Sequence, residues 1–180
     1  MNKTIKITLN NKVISGPINK TETTSAFTVK NDNTLIIEGE GMVDGNRGSL
    51  RNTAILIEGG HVIINGGTFT VGENISNNAN PCILINSEGS KLEINGGEFH
   101  AQTNDKKWVP IIDVRNSIKR TRYNVSIKGG TFYGYNPEQG DDAMINNFVA
   151  DGYISVPMDF YVDNKGNKMI IYQVIPDKKK

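Results

Sequence analysis

Ten letters recur three times in this chain: VIINGGTFTV at 62–71, LEINGGEFHA at 92–101 and VSIKGGTFYG at 125–134. A unit repeated at a fixed interval restricts the fold more than composition does. Each copy must be one supersecondary element that buries its apolar face against the next. Aligned on Ile64, Ile94 and Ile127, the copies bring in a fainter fourth, LIIEGEGMV, through Ile37. Three apolar columns result: Leu35, Val62, Leu92, Val125; Ile37, Ile64, Ile94, Ile127; and Met42, Phe69, Phe99, Phe132. Within each copy the apolar letters alternate, which is the period of a strand with one buried face. The glycines that follow each strand let the backbone turn a corner that a side chain would forbid.

A second apolar run precedes every copy: AFTV at 26–29, AILI at 54–57, CILI at 82–85 and IIDV at 111–114. Its inward columns are Phe27, Ile55, Ile83, Ile112 and Val29, Ile57, Ile85, Val114, and the first of these steps by 28, 28 and 29 residues. A helical repeat would show a 3.6-residue period, and a propeller blade would need hairpin turns between neighbouring strands. Equivalent strands that recur once per unit stack on one another instead. The expected fold is all-β, a parallel β-helix (β-solenoid) of about four coils. Buried Ile and Phe at roughly 1.5–3 kcal/mol per side chain make four coils a plausible core. The corner after the second strand carries Glu38, Asn65, Asn95 and Lys128. Asn65 and Asn95 could stack as a ladder, although Asn is also common before Gly in any turn.

Solenoids need caps, because an uncovered last coil exposes strand edges. TIKITLNNKVIS near the start reads as two strands around Asn-Asn, a hairpin signal, and FYVDNKGNKMIIYQVI as a second hairpin around NKGN. The expected organisation is an N-terminal hairpin cap or attachment segment at 1–25 and the parallel β-helix at 26–145. A closing strand and hairpin with a basic tail then occupy 146–180.

Twenty basic against 19 acidic residues leave a net charge of +1 over 180 residues, which argues against a general nucleic-acid binder. One cysteine rules out an intramolecular disulfide, and two histidines rule out a multi-histidine metal site. The polar, alternating start shows no secretory h-region, and no run approaches a membrane span.

The pattern over 26–145 resembles the right-handed parallel β-helix of pectate-lyase-like proteins. GGTF at 129–132, Asn136-Pro137 and Asn146–Tyr153 (NNFVADGY) are similar to a module of surface and phage-encoded proteins of gut bacteria. There such a segment ends a β-helix. The resemblance implies a terminal coil and supplies no catalytic residue, since this fold hosts many tasks.

A β-helix enzyme acting on polysaccharide would stack a carboxylate pair about 5–9.5 Å apart on one outer face. The outward columns read Ile36, Ile63, Glu93, Ser126; Thr28, Leu56, Leu84, Asp113; and Thr70, His100, Tyr133. None stacks two carboxylates, so no catalytic residue, metal ligand or cofactor is expected. Asp141-Asp142 read as a solvated loop, with calcium the lesser reading for want of further fixed oxygens. RNSIKRTR gives a basic patch of Arg115, Lys119, Arg120 and Arg122, with Lys106 and Lys107 one loop earlier. It reads as a solvated loop or as a surface for an anionic partner. His100 with Tyr133 and Thr70 reads as an ordinary sheet face or a sugar-stacking strip. Trp108 reads as loop packing, and Cys82 as packing with no histidine to activate it. Ile36, Ile63, Leu56 and Leu84 point outward by alternation, and contiguous exposed apolar surface marks an interface.

The expectation for function is a non-enzymatic structural component of a tailed, crAss-like bacteriophage virion, of capsid-decoration, head-fibre or tail-fibre type. It would be made in the host cytoplasm and act through protein–protein assembly. Its expected partners are other virion proteins and copies of itself, a trimer being the arrangement expected of a fibre. A host surface glycan is a further partner to test; specific nucleic acid and membrane are not expected. The alternatives are a carbohydrate-binding or polysaccharide-degrading β-helix and an adhesin fragment at a bacterial cell surface.

Overall fold

The structure, a computed structural model, describes residues 2–18, 24–46, 52–72, 80–100, 111–115, 123–140, 147–163 and 166–178. Strands β1 (Thr4–Thr8) and β2 (Lys12–Ser15) are followed by four triplets. These are β3 (Ser25–Lys30), β4 (Thr34–Glu38), β5 (Gly41–Asp44); β6 (Thr53–Glu58), β7 (His61–Ile64), β8 (Thr68–Thr70); β9 (Ile83–Ile85), β10 (Lys91–Ile94), β11 (Glu98–His100); and β12 (Ile112–Val114), β13 (Asn124–Ile127), β14 (Thr131–Tyr133). A 3₁₀ turn, Pro137–Gln139, precedes β15 (Tyr153–Val162) and β16 (Lys168–Pro176).

Like strands stack on like. One sheet, A, has the order β1-β4-β7-β10-β13; sheet B has β15-β16-β14-β11-β8-β5-β2; sheet C has β12-β9-β6-β3. All pairs within the repeat are parallel, and three turns separate β3 from β12, so the molecule is a parallel β-solenoid. The inward columns hold in register: Leu35, Val62, Leu92 and Val125 pair in sequence, as do Ile37, Ile64, Ile94 and Ile127. Phe27, Ile55, Ile83 and Ile112 do the same in sheet C.

Two expectations change. Val43, not Met42, is the partner of Phe69, so the aromatic column begins on a valine. The stretch expected as an N-terminal hairpin is the first coil. β1 pairs parallel with β4 and β2 parallel with β5, and Asn10 and Asn11, at φ 47° and 58°, form the corner between them. Adjacent left-handed Asn residues suit a tight hairpin, but here they serve the bend that glycines make on later coils. Leu9, buried beside them, tucks under the stack.

Phe69, Phe99 and Phe132 are fully buried and stack with ring centroids 5.0 and 4.9 Å apart, within 10° of parallel. The C-terminal hairpin is present: β15 and β16 are antiparallel, and β16 docks antiparallel on β14. Residues around Val149 close the outer edge of β13, with the Ile127 N–H donating to the Phe148 carbonyl at 2.9 Å. Among the described residues no helix is long and apolar enough to cross a membrane.

Candidate functional site

The outer face of sheet A carries the column Lys6, Ile36, Ile63, Glu93 and Ser126. Ile36 and Ile63 are half-buried neighbours on this face. Lys6 pairs with Glu38 at 2.8 Å, and the ammonium holds that carboxyl below the ordinary carboxylate range. Glu93 meets His61 Nε2 at 2.9 Å, across adjacent coils. The sequence reading missed this pair, because it joins residues 32 apart on a diagonal between strands.

Leu56 and Leu84 also ladder, beside Thr28 and Asp113, but they are not open to a partner. Leu84 is fully buried, Leu56 is 9 % exposed and Asp113 5 %, all within this one chain. Alternation fixes the side of the strand that a residue takes, and it is silent on what the chain lays over that side. A partial signal was present: AILI and CILI are unbroken apolar runs of four, as in strands buried on both faces, whereas the apolar runs of sheet A reach three at most. Lys30 and Asn86 both engage Glu58 at the end of this sheet, at 2.9 Å each, and hold its carboxyl below the usual range.

Sheet B presents Asp44, Thr70, His100 and Tyr133 in line. His100 and Tyr133 stack with centroids 4.1 Å apart, and Tyr161 of the hairpin meets Tyr133 edge-on at 5.6 Å. Burial lowers the His100 pKa against the opposing pull of Glu98, 3.8 Å away. Burial, helped by Glu98, raises that of Tyr133. The ring faces are spent on one another, so the strip is a packed aromatic ladder more than a platform for a ligand.

An open groove of about 590 Å³ follows the corner between sheets A and B, floored by Gly66, Gly67, Gly96 and Gly97 and edged by Asn65 and Glu98. The glycines are needed because successive coils touch there: a Cβ on Gly97 would lie 2.9 Å from the Gly67 carbonyl oxygen. Beside it the Asn95 amide donates to Asn65 Oδ1 at 2.9 Å, so the asparagine ladder is real.

Cys82 is fully buried with its thiol pushed up to about 12 by desolvation, and it sits 3.2 Å from the His100 carbonyl oxygen, which suits packing and not nucleophilic chemistry. Arg115 is exposed, while Lys119, Arg120 and Arg122 lie outside the described residues, as do Lys106, Lys107, Trp108, Asp141 and Asp142. Among the described residues no group of three or more His, Cys, Asp or Glu is placed to hold a metal. The fold and these faces define the class, a ladder-built parallel β-solenoid. No family model, no curated protein and no solved structure matches the chain.

Proposed function

We propose that this chain is a structural protein that works by assembly and not by catalysis, as a bacteriophage virion component of capsid-decoration, head-fibre or tail-fibre type. One observation carries the reading. Among the described residues, the large apolar side chains that remain well exposed are Ile5, Val13 and Ile18 at one end and Met158, Phe160, Val162 and Ile170 at the other. Between these ends the described outer faces are polar, half-buried or covered. A stiff rod that is adhesive at its ends suits a building element. The pectate-lyase-like and phage resemblances supply the setting. Of the two carboxylates in the outward columns of sheets A and C, Glu93 is engaged by His61 and Asp113 is buried, which supports this reading. Lateral contact through Ile36 and Ile63 would serve the trimer expected of a fibre. Mass spectrometry of purified virions against uninfected cells tests the reading. Enrichment in virions is expected; absence from them removes it. Release of reducing sugar from bacterial capsule by the purified chain would replace it with the enzyme reading.

A further inference from the structure

The two adhesive ends complement each other. At the first coil, Ile5, Ile7 and Ile14 pair with Leu35, Ile37 and Val43, so they belong to the inward columns. Leu35, Ile37 and Val43 are buried, yet Ile5 is 58 % exposed, because among the described residues no coil lies beneath it. At the other end, Phe160 pairs with Ile170, which lies two residues from Tyr172, the partner of Phe132. Paired residues share a side of the sheet, so Phe160 and Ile170 continue the core side of sheet B past the body. They are 49 % and 44 % exposed. The inner side is therefore open at both ends, at sheet A on the first coil and at sheet B on the hairpin.

Strand direction agrees. β14 is parallel to its predecessors, β16 reverses and β15 reverses again. β15 therefore runs in the direction of the repeat strands of sheet B, and it is one free edge of that sheet while β2 is the other. A β2 strand added to β15 by simple translation along the axis makes a parallel pair, like the pairs within the solenoid. Charge is mixed at this junction: residues 2–18 hold Lys3, Lys6 and Lys12 and no acid, and β15 with the residue after it holds Asp159 and Asp163, but Lys168 of β16 lies 3.5 Å over the Phe160 ring. Lys6 is engaged by Glu38, and Lys3 and Lys12 have no ion pair among the described residues. The first half of β15 is closed, since the Ser155 N–H donates to Glu138, and Pro157 and a bulge follow. The second half, Asp159–Val162, carries the exposed Phe160 and Val162.

We propose that copies of this chain stack head to tail, the Asp159–Val162 edge of one copy set against Ser15 and the following residues to Ile18 of the next, as the register of sheet B places them, with its Phe160 and Ile170 facing the next copy's open first coil. The inference rests on the structural reading above and names its partner. Such a contact joins different patches, so it does not close on itself and grows into a filament.

Sedimentation velocity of the 180-residue chain over a range of concentrations tests it. Species beyond a dimer are expected to grow with concentration. Ile5→Glu and Phe160→Lys each place a charge in the apolar junction. Each is expected to raise the concentration for half-association by more than roughly tenfold. Each variant keeps one intact end, and the two introduced charges are opposite, so an equimolar mixture should associate at a lower concentration than either variant alone. If circular dichroism shows either variant unfolded, Ile5→Ala and Phe160→Ala make the same test. A wild type that stays monomeric overturns the proposal. So does a response to only one variant, which would mean a symmetric end-to-end dimer. A chain found in virions yet monomeric alone removes head-to-tail stacking and leaves the structural reading; a filament absent from virions does the reverse.

Discussion

Phe99→Ala removes the middle ring of the Phe69–Phe99–Phe132 stack. The site is fully buried, and both faces of the ring are in contact, at 5.0 and 4.9 Å between centroids. Large-to-small replacement of a buried aromatic costs about 3–5 kcal/mol. Two stacked pairs are lost at once, each worth roughly 0.5–1.5 kcal/mol beyond burial, which places the expectation near the top of that range, at about 4–5 kcal/mol. Neighbouring rings cannot collapse into the gap, because parallel pairing on both sides fixes their strands. With a urea slope of about 2–3 kcal/mol/M the unfolding midpoint should fall by about 1.3–2.5 M. The transition should also broaden, since the coils on either side lose their coupling. Phe27→Ala, at the half-buried end of another column, is the control and should cost about half as much or less. Equilibrium urea unfolding followed by circular dichroism measures both. A Phe99→Ala midpoint within about 0.3 M of wild type, or a larger loss for Phe27→Ala, would refute the reasoning that stability is concentrated in the interior ladder.

Gly129→Ala would drive a methyl into the Asn95 carbonyl of the coil below, and should cost about 1–3 kcal/mol, whereas Gly89→Ala meets open space and carries only the strain of φ +75°; thermal melts that rank the two the other way would reject the close-approach argument. Ile63→Lys should leave the far-ultraviolet spectrum unchanged and weaken lateral association, because Ile63 sits half-buried on an outer face; loss of the fold would place it inward. The folded-state pKa of His100 is lowered by burial, so its contribution to stability is complete above the unfolded value near 6.5 and is lost as pH falls through that value toward the lower folded one. The melting temperature should drop over that window and His100→Gln should flatten the drop; an unaltered profile would mean that the ring is solvated. Asn95→Ala removes an exposed inter-coil hydrogen bond and should cost no more than about 1 kcal/mol by urea unfolding.

Inward columns were legible in the letters because a strand has a period of two and a solenoid repeats its register. Ile37, Ile64, Ile94 and Ile127 need only be counted to be aligned, and the Phe column follows from them. The Gly-Gly corners were legible for a related reason: few residues let two backbones touch. What the letters could not carry was the identity of each strand's neighbour. TIKITLNNKVIS spells two strands and a left-handed turn whether it folds on itself or lies under β4 and β5, and only the inter-coil pairing decides. Coverage is likewise a property of the assembled chain. Alternation put Leu56 and Leu84 on the far side of sheet C, and the fold then buried that side. The His61–Glu93 contact and the Tyr161 edge on Tyr133 depend on the diagonal offset between strands and on where a hairpin lands. Short-range pattern fixes which side of a strand a residue takes; what meets it there is set by contacts between residues far apart in sequence, and those exist only in the folded chain.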